Sequence, residues 1–133
     1  MKNKNWISKI ELASQILTFG IMVYVFIMGF AYQNYWGSFF MFVPIITINY
    51  VFQIRRNIHF LLYNKDLTAT AKILSILSLL IFGLPFIPIY KVLGIKDNSL
   101  IYFFFSGCIL LSHLLFVIVL TLKLNNLTEV NSN

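Results

Sequence analysis

The sequence predicts an all-α integral membrane protein, in which four transmembrane helices form a single domain over residues 1–133. Composition is the first reason: 59% of the residues are hydrophobic and only 11% are charged, about half the charged fraction of an ordinary soluble domain. The mean hydropathy of +0.85 is the second, because it leaves too little polar surface to cover a water-soluble globule. These values exclude a soluble enzyme, a disordered regulator and a nucleic-acid binder that works free in the cytosol.

The third reason is a charge-free run from residue 12 to residue 54, which is long enough for two helices of about 20 residues each. A polar and aromatic segment, Tyr32 to Gly37, predicts a turn within it, so we expect spans at 12–31 and 37–54. Apolar residues between Arg55 and Tyr63 indicate that the second helix continues into the membrane interface. The basic N-terminus is also typical of a cleaved signal peptide, but the apolar run that follows is too long for one.

Two further spans are predicted at 68–90 and 99–122. Three residues at the start of the last span can cap a helix N-terminus, namely Asp97, Asn98 and Ser99. Proline removes a backbone hydrogen-bond donor and bends or breaks a helix, so kinks are expected at Pro44 and at Pro85 and Pro88. The segment from Gly83 to Tyr90 should therefore not be regular helix.

The basic residues predict the orientation of these spans. With the N-terminus inside, eight lie on the inner side and only Lys91 and Lys96 on the outer side. The inner set comprises Lys2, Lys4, Lys9, Arg55, Arg56, Lys65, Lys72 and Lys123. The positive-inside rule then places both termini in the cytoplasm and the protein in the cell membrane, facing an anionic inner leaflet. Frequent Lys, Asn, Ile and Phe residues are typical of bacterial chains from AT-rich genomes.

Polar residues within the spans are informative, because in hydrocarbon they must be paired and usually face the protein interior or a cavity. They recur at helical spacing on one face of each span, and His113 falls near the middle of the bilayer. We expect them to form an intramembrane polar pocket that opens to the cytoplasm, lined by His113, Asn49, Gln15, Thr18, Gln53, Ser75, Ser78 and Ser106. The expected charges at its inner edge are Glu11, Arg55, Arg56 and Lys72.

The outer half of the bundle should instead be filled by aromatic side chains, namely Phe39, Phe40, Phe42, Phe82, Phe86 and Phe103 to Phe105. The polar residues also have a structural interpretation, since serines and amides in spans commonly form interhelical hydrogen bonds. His113 can likewise be a neutral structural histidine that donates one hydrogen bond and accepts another. Both interpretations stay open at this point.

Catalytic and metal-binding patterns are not found in the sequence. Cys108 is the single cysteine, and the two histidines lie on different segments, so no zinc site is predicted. A Ser-His-Asp arrangement would need an acid near His113, and no acidic residue lies deep in a span. We therefore predict no enzymatic activity, no catalytic residue, no metal and no cofactor, and no nucleic-acid partner.

These observations favour a protein that binds a partner protein or peptide within the membrane, as an immunity factor or an accessory subunit does. In size and hydrophobic character the chain is similar to the membrane immunity proteins that protect bacteria against pore-forming bacteriocins, a likeness of architecture with no shared motif. One alternative is an oligomeric channel or pore-forming effector gated near His113. A second alternative is a small-solute transporter subunit or a ligand sensor that uses the inner pocket.

Overall fold

Helices are the regular secondary structure of the described residues, and short turns join them. A computed structural model describes residues 2–63, 68–87 and 89–132, although the side chains of some of these lie outside the description. No strand occurs within these ranges. The α-helices are α1 (Lys2–Ala31), α2 (Tyr35–Asn49), α3 (Arg55–Tyr63), α4 (Ala69–Gly83), α5 (Ile89–Val92) and α6 (Asn98–Ser132). A π-helix (Tyr50–Ile54) joins α2 to α3, and a 3₁₀-helix (Leu84–Phe86) follows α4.

The turn predicted between the first two spans is present and short. Gln33 has a φ of +53°, in the left-handed region that reverses the chain, and α2 begins at Tyr35. The side chain of Asn34 accepts a hydrogen bond from the N–H of Gly37 at 3.1 Å, which caps α2. A Cβ atom on Gly37 would lie 2.5 Å from the Asn34 amide nitrogen, so glycine is needed for this cap.

The second helical segment changes its geometry beyond Pro44. Pro44 lies inside α2, which continues to Asn49, and the π-helix then occupies Tyr50–Ile54. A π-helix places an extra residue in the turn and is frequently found at functional sites. This irregularity was not predicted from the sequence, which pointed only to the proline.

Local side chains set where the last two long helices begin and where α4 ends. Thr68 caps α4 by accepting a hydrogen bond from the N–H of Ala71, and α4 ends at Gly83, where Pro85 lies in the first turn of the 3₁₀-helix. Pro88 lies outside the described residues. Asp97 caps α6 by accepting hydrogen bonds from the N–H and the hydroxyl of Ser99 at 3.0 and 2.8 Å. At 35 residues, α6 is longer than the predicted span 99–122.

α1 and α4 pack antiparallel to α6, and α2 packs parallel to it. The pairings of Gln15 with His113 and of Val25 with Tyr102 fix the register of α1 against α6. Buried apolar residues form two clusters along this axis. One contains Phe60, Ala71, Phe116, Val119 and Leu120, and the other contains Met22, Val25, Phe42, Tyr102 and Ile109.

Two of the helices are long and apolar enough to cross a membrane, judged by length and composition. They cover Trp6–Ala31 and Asn98–Asn125, with mean hydropathies of 1.9 and 2.5. The segments Tyr35–Ile45 and Ala69–Gly83 are apolar but shorter. The helical class is therefore confirmed, and the structure supports two candidate membrane-spanning helices.

Candidate functional site

An ion pair joins α1 to α3 at one end of the assembly. The carboxylate of Glu11 accepts two hydrogen bonds from Arg56, one from Nε at 2.7 Å and one from Nη2 at 2.5 Å. The Glu11 side chain is only 9% exposed and that of Arg56 is 31% exposed. Hydrogen bonding to Glu11 raises the pKa of Arg56 above its usual value, against the opposing effect of partial burial. The two-point geometry fixes the orientation of α1 relative to α3.

The same end of the assembly holds a buried aromatic ring between two cations. Lys123 Nζ lies 4.5 Å from the ring centroid of Phe60, and Arg56 Cζ lies 5.6 Å from it. Both distances are within the range of cation–π attraction. The contact of Lys123 with Phe60 connects α6 to α3. It lies at the same end of the assembly as the ion pair, which connects α1 to α3.

His113 is buried on α6 and bonded to α1. Its Nε2 lies 2.9 Å from the backbone carbonyl oxygen of Gln15, which can only accept, so the neutral ring carries its proton on Nε2. The ring is stacked on Phe19 at a centroid distance of 6.0 Å and meets Phe116 edge-on. His113 Nδ1 and Gln15 Oε1 are buried without a hydrogen-bond partner among the described residues.

A hydrogen-bonded network joins the π-helix and α3 to α4 and α6. Gln53 Nε2 donates to Ser78 Oγ at 2.9 Å and to Ser112 Oγ at 2.6 Å. The two serines exchange bonds across the helix interface, since each hydroxyl donates to the other residue's backbone carbonyl, at 2.9 and 2.7 Å. Asn57 extends the network by accepting from Ser75 Oγ at 2.8 Å. Four helical elements are thus connected by side chains that are at most 1% exposed.

The structure brings together part of the set of residues predicted to line the pocket. Gln53, Ser75 and Ser78 meet in the network, where they take part in hydrogen bonds within a buried core. Gln15 and His113 form a separate contact between α1 and α6.

Thr18 and Ser106 have no hydrogen bond to the network among the described residues. Thr18 donates to the carbonyl of Ser14 on its own helix at 2.9 Å, and Ser106 is buried one turn from Tyr102. The side chain of Asn49 lies outside the described residues. Among the predicted edge charges, Glu11 and Arg56 pair with each other, Arg55 is exposed and Lys72 is half-buried at the start of α4.

Two network residues were missed, and one of them carried a recognisable signal in the sequence. Asn57 lies one helical turn after Gln53. It was missed because the predicted span ended at residue 54, before the charged residues Arg55 and Arg56. Ser112 directly precedes His113 and was not among the polar residues selected in the last span. Amides one helical turn apart are the signal that could have found Asn57, whereas Ser112 has no polar residue one turn away on its own helix.

Aromatic side chains surround Tyr102 at the opposite end from the ion pair. The Tyr102 hydroxyl lies 3.3 Å from the backbone carbonyl oxygens of Val25 and Phe26, to which it can donate. A Cβ atom on Gly29 would lie 2.3 Å from this hydroxyl, so only glycine leaves room for it. The rings that pack within about 6 Å of Tyr102 belong to Phe26, Phe30 and Tyr35.

The predicted aromatic filling is correct only in part. Phe42 and Phe82 are buried, whereas Phe40 and Phe103 are exposed at 76% and 59%. Phe104 and Phe105 are half-buried, and the side chains of Phe39 and Phe86 lie outside the described residues. The rings of Phe26, Phe30 and Tyr35, which the sequence analysis did not select, supply the rest of the cluster.

The described residues hold no group of three or more His, Cys, Asp or Glu side chains that could bind a metal ion. Comparison of the chain with protein-family models, with curated proteins and with solved structures gives no match.

Proposed function

We propose that this chain is a four-span membrane protein with both termini in the cytoplasm. Support comes from the distribution of its side chains, which is the reverse of that in a water-soluble protein. The polar residues Gln53, Asn57, Ser78 and Ser112 are buried, while large apolar residues are exposed on every long helix. An apolar exterior around a hydrogen-bonded polar interior suits hydrocarbon as the surrounding solvent.

The two shorter helical segments are long enough for this arrangement. α4 and the 3₁₀-helix cover residues 69–86, about 28 Å by their rise per residue. α2 and the π-helix cover residues 35–54 and reach about 30 Å. Both lengths are close to the thickness of a hydrocarbon core.

Labelling of single cysteines tests the orientation of the spans. In a Cys108→Ser background, Lys96→Cys and Asn126→Cys should react with a membrane-impermeant thiol reagent from opposite sides of sealed vesicles. Reaction of both positions from one side would contradict the four-span arrangement.

Within that membrane placement, we infer that the protein acts by binding a transmembrane helix of a partner protein or peptide, without enzymatic activity. The observation that carries this is a stripe of exposed residues on α1 that begins at Trp6. Its residues are spaced alternately by four and three: Trp6, Ile10, Ala13, Leu17, Gly20, Tyr24, Ile27 and Ala31. This period of 3.5 residues is the one by which a second helix packs along a first.

Small residues distinguish this stripe from an ordinary lipid-facing surface. A Cβ atom added to Gly20 would meet nothing within 4 Å, so the fold of this chain does not need glycine there. Glycine lowers the stability of a helix by about 1 kcal/mol relative to alanine. A partner helix would use the space, because small residues let two helix backbones approach closely.

The chemistry of the partner follows from the stripe and its surroundings. An apolar helix would fit against Leu17, Gly20 and Tyr24, and an acidic residue near its cytoplasmic end would face the exposed Lys9. A contact of this kind would let the chain act as an immunity protein or as an accessory subunit. A bacterial immunity or accessory role is therefore the function that we propose.

A photoreactive side chain introduced at Leu17 tests the partner interaction in native membranes. We expect a cross-link to one transmembrane segment, which is lost in Gly20→Leu and retained in the control Gly107→Leu, where an added Cβ is also unobstructed. A label at Leu111, exposed on α6, should not give this product. Equal products from both labels, or none from Leu17, would contradict the proposal.

The alternatives require a polar interior that water can enter, namely an oligomeric channel gated near His113 or a transporter subunit or ligand sensor. Cross-linking of Leu17 to a second copy of this chain would point towards the oligomer. A conductance in proteoliposomes that changes between about pH 5 and 7.5 and is altered in His113→Leu would then favour the channel.

A further inference from the structure

A groove of about 340 Å³ lies on the outer face of the π-helix and α3, away from the polar network. It is lined by Val51, Phe52, Arg55, Arg56 and His59. Val51 and Phe52 form its apolar part, and Arg55 and His59 are exposed at the other end. The groove thus combines an apolar wall with basic groups one and two turns further along the same helix face.

The bonding of Arg56 leaves this groove with an unbalanced positive charge. Glu11 holds Arg56 through both Nε and Nη2, so this pair is close to neutral. No carboxylate among the described residues lies within ion-pair distance of Arg55. An anion carrying one negative charge would balance the Arg55 guanidinium, and phosphate oxygens suit its planar donors.

The apolar wall extends beyond the groove along the preceding helix. Ile48 is 69% exposed and precedes Val51 by three residues, so it continues the same face into the predicted span. The apolar surface of Ile48, Val51 and Phe52 has the position that a lipid acyl chain would take when the lipid headgroup lies at Arg55. An inorganic phosphate ion would make no contact with this apolar surface.

A residue of the π-helix, Gln53, fixes the direction in which the lining of the groove faces. Gln53 is fixed inward by its hydrogen bonds to Ser78 and Ser112, and therefore Val51 and Phe52 on the same turn point away from α4 and α6. Because the inward contact is buried and satisfied, the groove does not depend on a ligand for its shape.

We propose that this groove binds one anionic phospholipid, with the phosphate at Arg55 and His59 and an acyl chain along Val51, Phe52 and Ile48. The inference rests on the proposed membrane placement and not on the partner stripe of α1. The bound lipid would belong to the cytoplasmic leaflet, where the positive-inside orientation places Arg55.

Native mass spectrometry of the full chain in detergent tests the site with an equimolar mixture of phosphatidylglycerol and phosphatidylcholine. The wild type should carry a single phosphatidylglycerol molecule in preference to phosphatidylcholine by about fivefold, because one cationic side chain near an anionic lipid contributes about a factor of that size. Arg55→Gln should reduce the ratio to near one. Lys96→Gln, which removes an exposed charge at the other end of the molecule, should leave the ratio unchanged.

A second variant, His59→Gln, keeps the test decisive if Arg55→Gln does not fold, and it should lower the ratio in the same direction. An equal loss in the Lys96→Gln control would mean unspecific attraction and would overturn the site. So would displacement of the lipid by millimolar inorganic phosphate, or by an acidic peptide at equal concentration.

Extraction of reconstituted vesicles with alkaline carbonate tests the lipid site separately from the membrane placement on which it rests. Protein that stays in the bilayer but shows no preference for phosphatidylglycerol overturns the lipid site alone. Protein that is released from the bilayer overturns the membrane placement and the lipid site together.

Discussion

The two ends of the helical assembly are held together by different interactions. At the polar end, Glu11, Gln53 and His113 each bond to a neighbouring helix through directional hydrogen bonds. At the aromatic end, around Tyr102, rings pack against one another and a glycine provides the space for the hydroxyl. Directional bonds specify which residues face each other, whereas ring packing depends on shape and tolerates several arrangements.

The largest effect is expected at the aromatic end, where space is tightest. Gly29→Leu should lower the free energy of unfolding by about 3 kcal/mol, because the new side chain must displace Tyr102. Reversible unfolding in mixed detergent micelles measures the change. Gly20→Ala is the matched control, and it should leave the protein as stable or up to about 1 kcal/mol more stable. Similar losses in both variants would contradict the packing described for Gly29.

At the polar end, Gln53→Ala should cost about 2 kcal/mol of unfolding free energy. The variant loses two interhelical hydrogen bonds and leaves a cavity. Ser112→Ala should cost less, about 1 kcal/mol, since Ser78 keeps its bond to the Ser112 backbone. A double-mutant cycle measures the coupling of the two side chains, and additive effects would show that they act independently.

The ion pair should contribute less than the network, because Arg56 is partly exposed. Glu11→Gln should cost about 1 kcal/mol, and the loss should be much smaller when Arg56→Gln is already present. Arg55→Gln serves as the control, as Arg55 is the adjacent exposed arginine. If Arg55→Gln destabilises the protein as much as Arg56→Gln, net charge rather than the pair is responsible.

The smallest effect is expected at Thr18, whose hydroxyl forms its hydrogen bond within α1 and not to another helix. Thr18→Val should change the free energy of unfolding by less than about 0.5 kcal/mol, because the hydroxyl bonds only to the carbonyl of Ser14. The same unfolding measurement applies. A cost comparable to that of Gln53→Ala would place Thr18 in an interhelical contact after all.

Much of the helical organisation could be predicted because it depends on local sequence. The turn before Tyr35, the cap at Asp97 and the end of α4 near Gly83 each follow from residues within a few positions. The π-helix at Tyr50–Ile54 was not predicted. Its inward contact involves Ser78 and Ser112, which are distant in the chain.

The candidate site was predicted less completely than the helices. The pattern of polar residues at helical spacing selected Gln53, Ser75 and Ser78, and all three side chains are buried. The same pattern could not separate Thr18, which bonds within its own helix, from Gln53, which bonds across helices. It also could not distinguish a pocket from a network, because that depends on whether the side chains of facing helices reach each other.

Composition and residue pattern are sufficient to predict that the chain is helical, where several helices begin and end, and that it has apolar segments long enough to cross a membrane. These properties depend on hydropathy and on hydrogen bonds between residues close in the chain. The pairing of Glu11 with Arg56, the closed network at Gln53 and the outward direction of Arg55 are visible in the folded chain alone. These depend on the register between helices, which results from contacts between residues far apart in the chain.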